Sequence, residues 1–380
     1  MAKYIIAVML FITLNAIAQE PITSLMADSL TNQYFLKGDW DNLIKTVKNS
    51  IANNIDYKKL RQRIAFAYFE KGDYLAAEIQ YEKALTYDEY DAETRAYLYY
   101  CGLNTGNEPY ARFYADKLPS ELQKNLGIKP IKPVSLVDLE YNYKTNNSNT
   151  RSNPTYIRMG IGTQLGYRLT LYQYIADYEQ KIDSSSYHQP EYFAILNWSV
   201  TSHILLNIAY HHLHTRENGI NDPGNLISAA FSTKLNRFTL GANGSLLKDD
   251  FSNNDQFGLW AGVTIPGKTG IYFKSSLYRM IDKVNNRFIF SQNAGAHLYK
   301  TLWGEGNITL GNLKNYSDLN AFYVYNSVDP TTFRTGFSLF WYVGTKVTII
   351  GNYTYDTKQI EPTQKNYNQQ SFSGGIIWKL

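Results

Sequence analysis

The chain has 380 residues, room for two ordinary domains, and carries 37 Lys and Arg against 33 Asp and Glu, a net charge of +4. No long Lys/Arg block accompanies that balance, so no nucleic-acid partner is expected, and the single cysteine, Cys101, excludes an internal disulfide framework and a thiolate metal cluster. Mean hydropathy is −0.37, and past the first residues no apolar run is long enough for a membrane helix; a membrane barrel stays open, because only alternate residues of its strands meet lipid.

Residues 1–18 hold Lys3, an apolar run over 4–14 and then Ala16-Ile17-Ala18. This order predicts a secretory signal cleaved after Ala18, since the run is too short to span a bilayer; the bland alternative is a buried N-terminal helix. No cysteine follows the cleavage point, so no lipid-modified N-terminus is expected.

Over 19–128 apolar residues recur every three to four positions, the helical period. Gly38, Gly72 and Gly106 stand 34 residues apart, each between two amphipathic stretches. A turn glycine at that period resembles the tetratricopeptide repeat. The middle unit carries the resemblance furthest, through Ala65, Tyr68, Gly72, Tyr74, Ala77, Tyr81 and Ala84. The first keeps Tyr34, Gly38, Trp40 and Ser50 but has Leu43 where the second has Ala77; the third keeps Leu98, Gly106 and Ala111. The resemblance implies three periplasmic repeats that make contacts rather than chemistry, with an unrelated helical bundle as the alternative.

Across residues 128–133 the period changes from helical to alternating, and the alternation runs over 133–380. Val137, Leu139, Tyr141 and Tyr143 make one apolar row; Ile204, Leu206, Ile208 and Tyr210 make another. Phe333, Thr335, Phe337, Leu339 and Trp341 follow, then Val347, Ile349, Gly351, Tyr353 and Tyr355, and finally Phe372, Gly374, Ile376, Trp378 and Leu380. About fourteen such segments (12–16) are separated by breaks that alternate in length. Short ones are expected near 166–168, 200–203, 235–237, 266–269, 300–302 and 343–345. Longer polar ones are expected near 146–154, 182–189, 215–224, 249–255, 282–286, 315–330 and 358–368. This predicts an α + β multidomain chain: N-terminal α-α repeats, then a C-terminal transmembrane antiparallel β-barrel in the bacterial outer membrane, repeats in the periplasm. A soluble sandwich is the competing architecture.

Helical repeats followed by such a barrel resemble a bacterial outer-membrane group that includes the YaiO-type barrel proteins and the exporters of cellulose and poly-N-acetylglucosamine. Tyr323-Val324-Tyr325-Asn326-Ser327-Val328-Asp329-Pro330, with Arg334 and Gly336 after it, is similar to the YaiO-type pattern. The resemblance implies a non-enzymatic pore or docking element in handling a surface polysaccharide, with outer-membrane lipid around the barrel and a periplasmic protein partner on the repeats. A closed barrel with structural or surface-binding duties is the alternative, and a membrane-embedded lipid or glycan hydrolase the third.

No catalytic, cofactor or metal residues are expected. His212 and His214 share a strand face while His211 points the other way, so the trio does not converge on a metal, and its position suggests a rim or head-group level. The lumen is the expected site, with Asp138, Glu140, Lys144, Arg158, Asn197, Asn207, Arg279, Arg334 and Asp356 as polar positions facing it. Mixed charges with aromatic rings suit a hydrated sugar chain; the counter-reading is a plugged barrel whose inner charges pair with each other.

Overall fold

A computed structural model describes residues 22–250, 253–265, 269–282, 286–361 and 363–380; the expected signal segment lies outside them. The chain forms two compact units, one ending at Thr94 and one beginning at Arg95.

The first unit is built from α1 (Ser24–Lys37), α2 (Trp40–Ala52), α3 (Lys58–Glu70) and α4 (Tyr74–Leu85). A Gly-Asp dipeptide joins each pair. Gly38 and Gly72 take φ of +67° and +76°, a left-handed conformation glycine adopts without a Cβ penalty, and so end α1 and α3. The next residue starts the following helix: Asp39 and Asp73 accept the amide protons of Asn42 and Ala76. Leu43, Val47, Leu60, Ile64 and Ala67 form the core, with Phe35, Trp40 and Phe66 packed ring against ring. The family-like small positions Ala65, Ala77 and Ala84 are buried with Tyr81.

Arg61, itself buried, donates to both carboxylate oxygens of exposed Asp56. That guanidinium holds the Asp56 carboxyl below its usual range. A carboxyl depressed on folding adds stability above its unfolded value near 4, and the contribution is lost as pH falls through the folded value. Asp56→Asn should therefore cost about 1 kcal/mol at neutral pH, after allowance for solvent screening. The cost should shrink as pH falls below 4, read from the helical unfolding transition by circular dichroism.

The second unit begins with helices too. In α5 (Ala92–Asn104) and α6 (Glu108–Asp116), Gly102 lies against Ala111 so closely that a Cβ there would sit 2.7 Å from the Ala111 nitrogen. With α7 (Ser120–Asn125) they pack on the short-turn end of the barrel. The Tyr110 ring lies 5.8 Å from that of His203, Arg168 Nε lies 3.3 Å from an Asp116 carboxylate oxygen, and Tyr167 donates to Gln123. The change of period at 128–133 is thus not where the compact units divide. The third helical pair belongs with the barrel, through turn residues whose reach no periodicity displays.

The barrel has fourteen strands in an unbroken antiparallel ring, as the alternation predicts. They are β1 (Leu136–Asn146), β2 (Thr155–Gln164), β3 (Leu169–Ile182), β4 (Ser185–Ser199), β5 (Ile204–Glu217), β6 (Ile220–Leu235), β7 (Phe238–Lys248), β8 (Asn253–Thr264), β9 (Tyr272–Ile281), β10 (Asn286–Tyr299) and β11 (Leu302–Leu310), then β14 (Thr331–Val343), β15 (Val347–Ile360) and β16 (Lys365–Lys379). Two short strands, β12 (Ser317–Asp318) and β13 (Tyr323–Val324), pair with each other within the connection from β11 to β14. The ring closes through β1 and β16, from Leu136 opposite Lys379 to Asn146 opposite Gln369, so no edge is left unpaired.

The apolar rows face outwards: Val137, Leu139, Tyr141, Tyr143, Ile208, Phe337, Ile349 and Ile376 are all exposed large side chains on the outer wall. Trp198, Trp341 and Trp378 are likewise exposed, near the short-turn ends of β4, β14 and β16. An apolar wall with aromatic rings at its border suits lipid and head groups rather than water.

Two expected long breaks are strand instead. Residues 182–189 and 215–224 hold the tips of two hairpins, β3 to β4 and β5 to β6, with Asn218 and Gly219 both left-handed at the second turn. Strands β3 to β6 run 14, 15, 14 and 16 residues, beyond the roughly 9–11 that a tilted membrane strand needs. Their polar ends still pair, which composition alone reads as loop.

Candidate functional site in the barrel lumen

The inward side chains of β1 and β2 form a charged cluster. Arg158 Nη2 lies 2.8 Å from Glu140 Oε2 and 3.4 Å from Asp138 Oδ1, while the Tyr172 hydroxyl donates to Asp138 at 2.8 Å. Tyr172 reaches across β2 only because Gly160 stands opposite Asp138: a Cβ there would lie 2.2 Å from the Tyr172 hydroxyl. On β14 and β15, Arg334 Nη1 lies 3.2 Å from Asp356 Oδ1, with its guanidinium over the Tyr325 ring. Asn207 donates to Asn197 across β4 and β5. Lys144 lines the lumen as well, so eight of the nine expected positions face inwards.

Arg279 does not. It is exposed on the outer face of β9, between Tyr278 and Met280, which are buried in the lumen. The two faces of β9 carry similar polarity there, so composition did not settle which parity looks inwards.

The largest feature missed by sequence reasoning is the connection of residues 311–330. Expected as an outer loop, it folds into the lumen. Ala321 is fully buried among Tyr174, Phe193, Ala209, Leu213, Leu226 and Leu247 of the wall. Leu313 and Tyr316 pack on Tyr278, Met280 and Ile289 opposite. The Gln256 side chain both donates to the Ser317 carbonyl and accepts from the Ser317 amide. The Arg158 guanidinium lies 4.6 Å from the Phe322 ring centre. At the outgoing stem Arg151 donates to both oxygens of Asp329, which also accepts from Tyr367. The signal was present: this segment is rich in Tyr and Phe, where the other long breaks are rich in Asn, Asp and Ser.

Leu319, Asn320 and Ala321 take φ of +49°, +58° and +69°, three left-handed residues in succession without a glycine. Each costs about 1–2 kcal/mol, so tertiary contacts hold the tip. His211 supplies one. Its side chain is fully buried, with Nδ1 2.8 Å from the Ala321 carbonyl oxygen; a carbonyl only accepts, so Nδ1 carries the proton. Nε2 lies 3.3 Å from Glu191. His211 is therefore a lumen residue, not a rim one as expected, because β5 continues to Glu217. His212 and His214 sit together on the outer side, their rings 6.2 Å apart, and the three do not converge.

Among the described residues, Asp177, Glu179 and His188 bring ligand atoms within 4.8 Å of one another on the outer wall. The 2.7 Å contact of His188 Nε2 with Asp177 already joins two of them.

Beside the inserted segment a cavity of about 600 Å³ remains, lined by β1–β4, β10, β11 and β14–β16. Its residues run along β1 from Leu136 to Lys144. Asp138, Glu140, Arg158 and Glu305 line the short-turn half; Lys144, Arg334, Asp356 and Lys358 line the long-loop half. Tyr156, Tyr172, Tyr178, Tyr323 and Tyr325 stand among them.

No protein-family model matches the chain, and no curated protein matches it. Solved structures similar to it include a bacterial polysaccharide outer membrane secretin at 8% identity and TM-score 0.43, covering 66% of this chain and 100% of that one. The Pseudomonas putida toluene transporter TodX follows at 8% identity and TM-score 0.44, over 67% of this chain and 90% of that one. The KdgM porin is similar at 8% identity and TM-score 0.35, over 64% and 99%. These are likenesses of barrel architecture alone.

Proposed function

We propose that this chain is an outer-membrane barrel whose lumen receives a hydrated, hydroxyl-rich solute, a sugar chain of a surface polysaccharide. In this reading it acts as a constricted pore or docking element rather than an enzyme. The observation that carries it is the cavity left beside the inserted segment: tyrosines and charges of both signs line one continuous wall, a surface for ring stacking and hydroxyl hydrogen bonds. The apolar outer wall supports the membrane setting. Three helical pairs with glycine turns 34 residues apart support the tetratricopeptide reading, and the domain order supports the YaiO-type one. Packing of α5–α7 on the short-turn end supports a periplasmic place for the third pair, available to a protein partner there.

Purified protein in planar bilayers should give small, steady channels that a neutral oligosaccharide blocks. The absence of both conductance and oligosaccharide binding would sink the reading. A closed structural barrel is favoured by one observation, the dense packing of Ala321 and Tyr316 in the lumen, and predicts silence in both assays. The hydrolase reading has less support: His211 and Glu191 meet, but among the described hydrogen bonds of His211 there is no serine hydroxyl.

A further inference from the structure

The charges along the cavity are not evenly answered. In the short-turn half Arg158 is bracketed by Asp138 and Glu140. In the long-loop half Lys144, Arg334 and Lys358 have one carboxylate on their own strands, Asp356, and Arg334 occupies it; Asp329, the nearest carboxylate of the outgoing stem, is held by Arg151 and Tyr367. Lys144 Nζ lies 5.2 Å from the centre of the Tyr178 ring, and Lys358 Nζ donates only to hydroxyls, Ser327 at 3.0 Å and Thr331 at 3.3 Å. Among the described residues neither lysine has a carboxylate within ion-pair distance. Glu191, across the cavity, is engaged by Gln189 and His211.

The wall beside these lysines also holds unanswered polar atoms. Ser371 stands opposite Lys144 in the β1–β16 register and opposite Thr354 on β15; it is 1% exposed, and its hydroxyl has no partner among the described residues. Asn142 Oδ1, two residues along β1, has none either. Ammonium groups whose nearby carboxylates are all engaged by other partners, next to a buried idle hydroxyl, make a place where an anionic group would complete the wall. Tyr178 and Tyr325 add ring faces at the same level.

We infer that the long-loop half of the cavity is a binding site for an acidic sugar unit, with Lys144 and Lys358 taking its carboxylate and the neighbouring tyrosines its ring. This rests on the sugar-chain reading above and narrows it from hydroxyl-rich solutes to anionic ones. A carboxylate suits two separated single-point donors, since the forked guanidinium of Arg334 is committed to Asp356.

The test is titration calorimetry on the purified full chain in detergent, with a uronic acid trisaccharide and its uncharged methyl ester. The acid should bind at least tenfold more tightly than the ester, and its affinity alone should weaken as sodium chloride rises from 50 to 500 mM. In the double variant Lys144→Met/Lys358→Met the acid should fall to the affinity of the ester, while ester binding stays and shows the fold intact. Lys144→Arg/Lys358→Arg should keep most of the preference. Equal binding of acid and ester by the native chain, independent of salt, would overturn the inference and leave the sugar reading standing. Binding of neither would remove both.

Discussion

Replacing residues 315–326 by a short Gly-Ser linker is expected to raise single-channel conductance in planar bilayers several-fold. Barrels of about eight strands fill with their own side chains, whereas those of sixteen or more leave an aqueous channel. Fourteen strands stand near the wider limit, and here the inserted segment supplies the filling. It occupies the lumen from the β2–β7 wall, where Ala321 is buried, to the β9–β10 wall, where Tyr316 is buried. The barrel itself should survive the replacement, because β11 and β14 pair directly from Leu302 opposite Trp341 to Leu310 opposite Phe333 and do not depend on the segment for closure. A linker variant that folds, as judged by heat-shifted migration on a gel, yet conducts like the native chain would show that the segment is not the constriction. Its three left-handed residues sharpen the expectation. They stay in that conformation only while Gln256, His211 and the apolar pocket hold them, so weakening the anchors by Gln256→Ala should give intermediate, flickering conductance.

The parts of this molecule that could be read from its residues are those where one rule acts locally. Alternation over 133–380 is legible because each strand meets lipid on one side and lumen on the other, so Val137, Leu139 and Tyr141 declare the outer face without any partner being known. The turn glycines are legible for a similar reason: Gly38 and Gly72 each follow a helical stretch and precede an aspartate cap, where the left-handed turn they adopt costs glycine no Cβ clash. What escaped depends on distant partners. Nothing near Ala321 says that Tyr174 and Phe193, far earlier in the chain, will enclose it. Arg279 was misplaced because one strand's parity is only fixed once its neighbours are paired. The tips of β3–β6 were read as loops because Ser185 and Asn218 are polar in both settings. Most of the expected residues do face the lumen, but their pairing was not legible: that Arg158 serves Asp138 and Glu140, while Lys144 meets no carboxylate among the described residues, follows from register across three strands.

Arg158→Met should be the most damaging single change on the lumen wall, costing about 3 kcal/mol of barrel stability. Arg158 is 8% exposed and its guanidinium carries four tasks. It is the cation for Glu140 at 2.8 Å and for Asp138 at 3.4 Å, a donor to the Tyr172 hydroxyl at 3.3 Å, and a flat face against Phe322. Methionine replaces most of the volume and none of the charge, so two carboxylates on adjacent inward positions of β1 would face each other without a counter-ion. Like charges at that spacing repel, and removing one partner of a buried cluster leaves the others to bear the desolvation. Because the damage is electrostatic rather than steric, the remedy is specific. Adding Asp138→Asn and Glu140→Gln to Arg158→Met should restore most of the lost stability, read from the urea midpoint of tryptophan fluorescence in detergent micelles. The restored barrel should still lack the contact with Phe322, and so conduct more than the native chain does. If the triple variant is as unstable as the single one, Arg158 acts through packing, and the charge cluster is not what holds the β1–β2 wall.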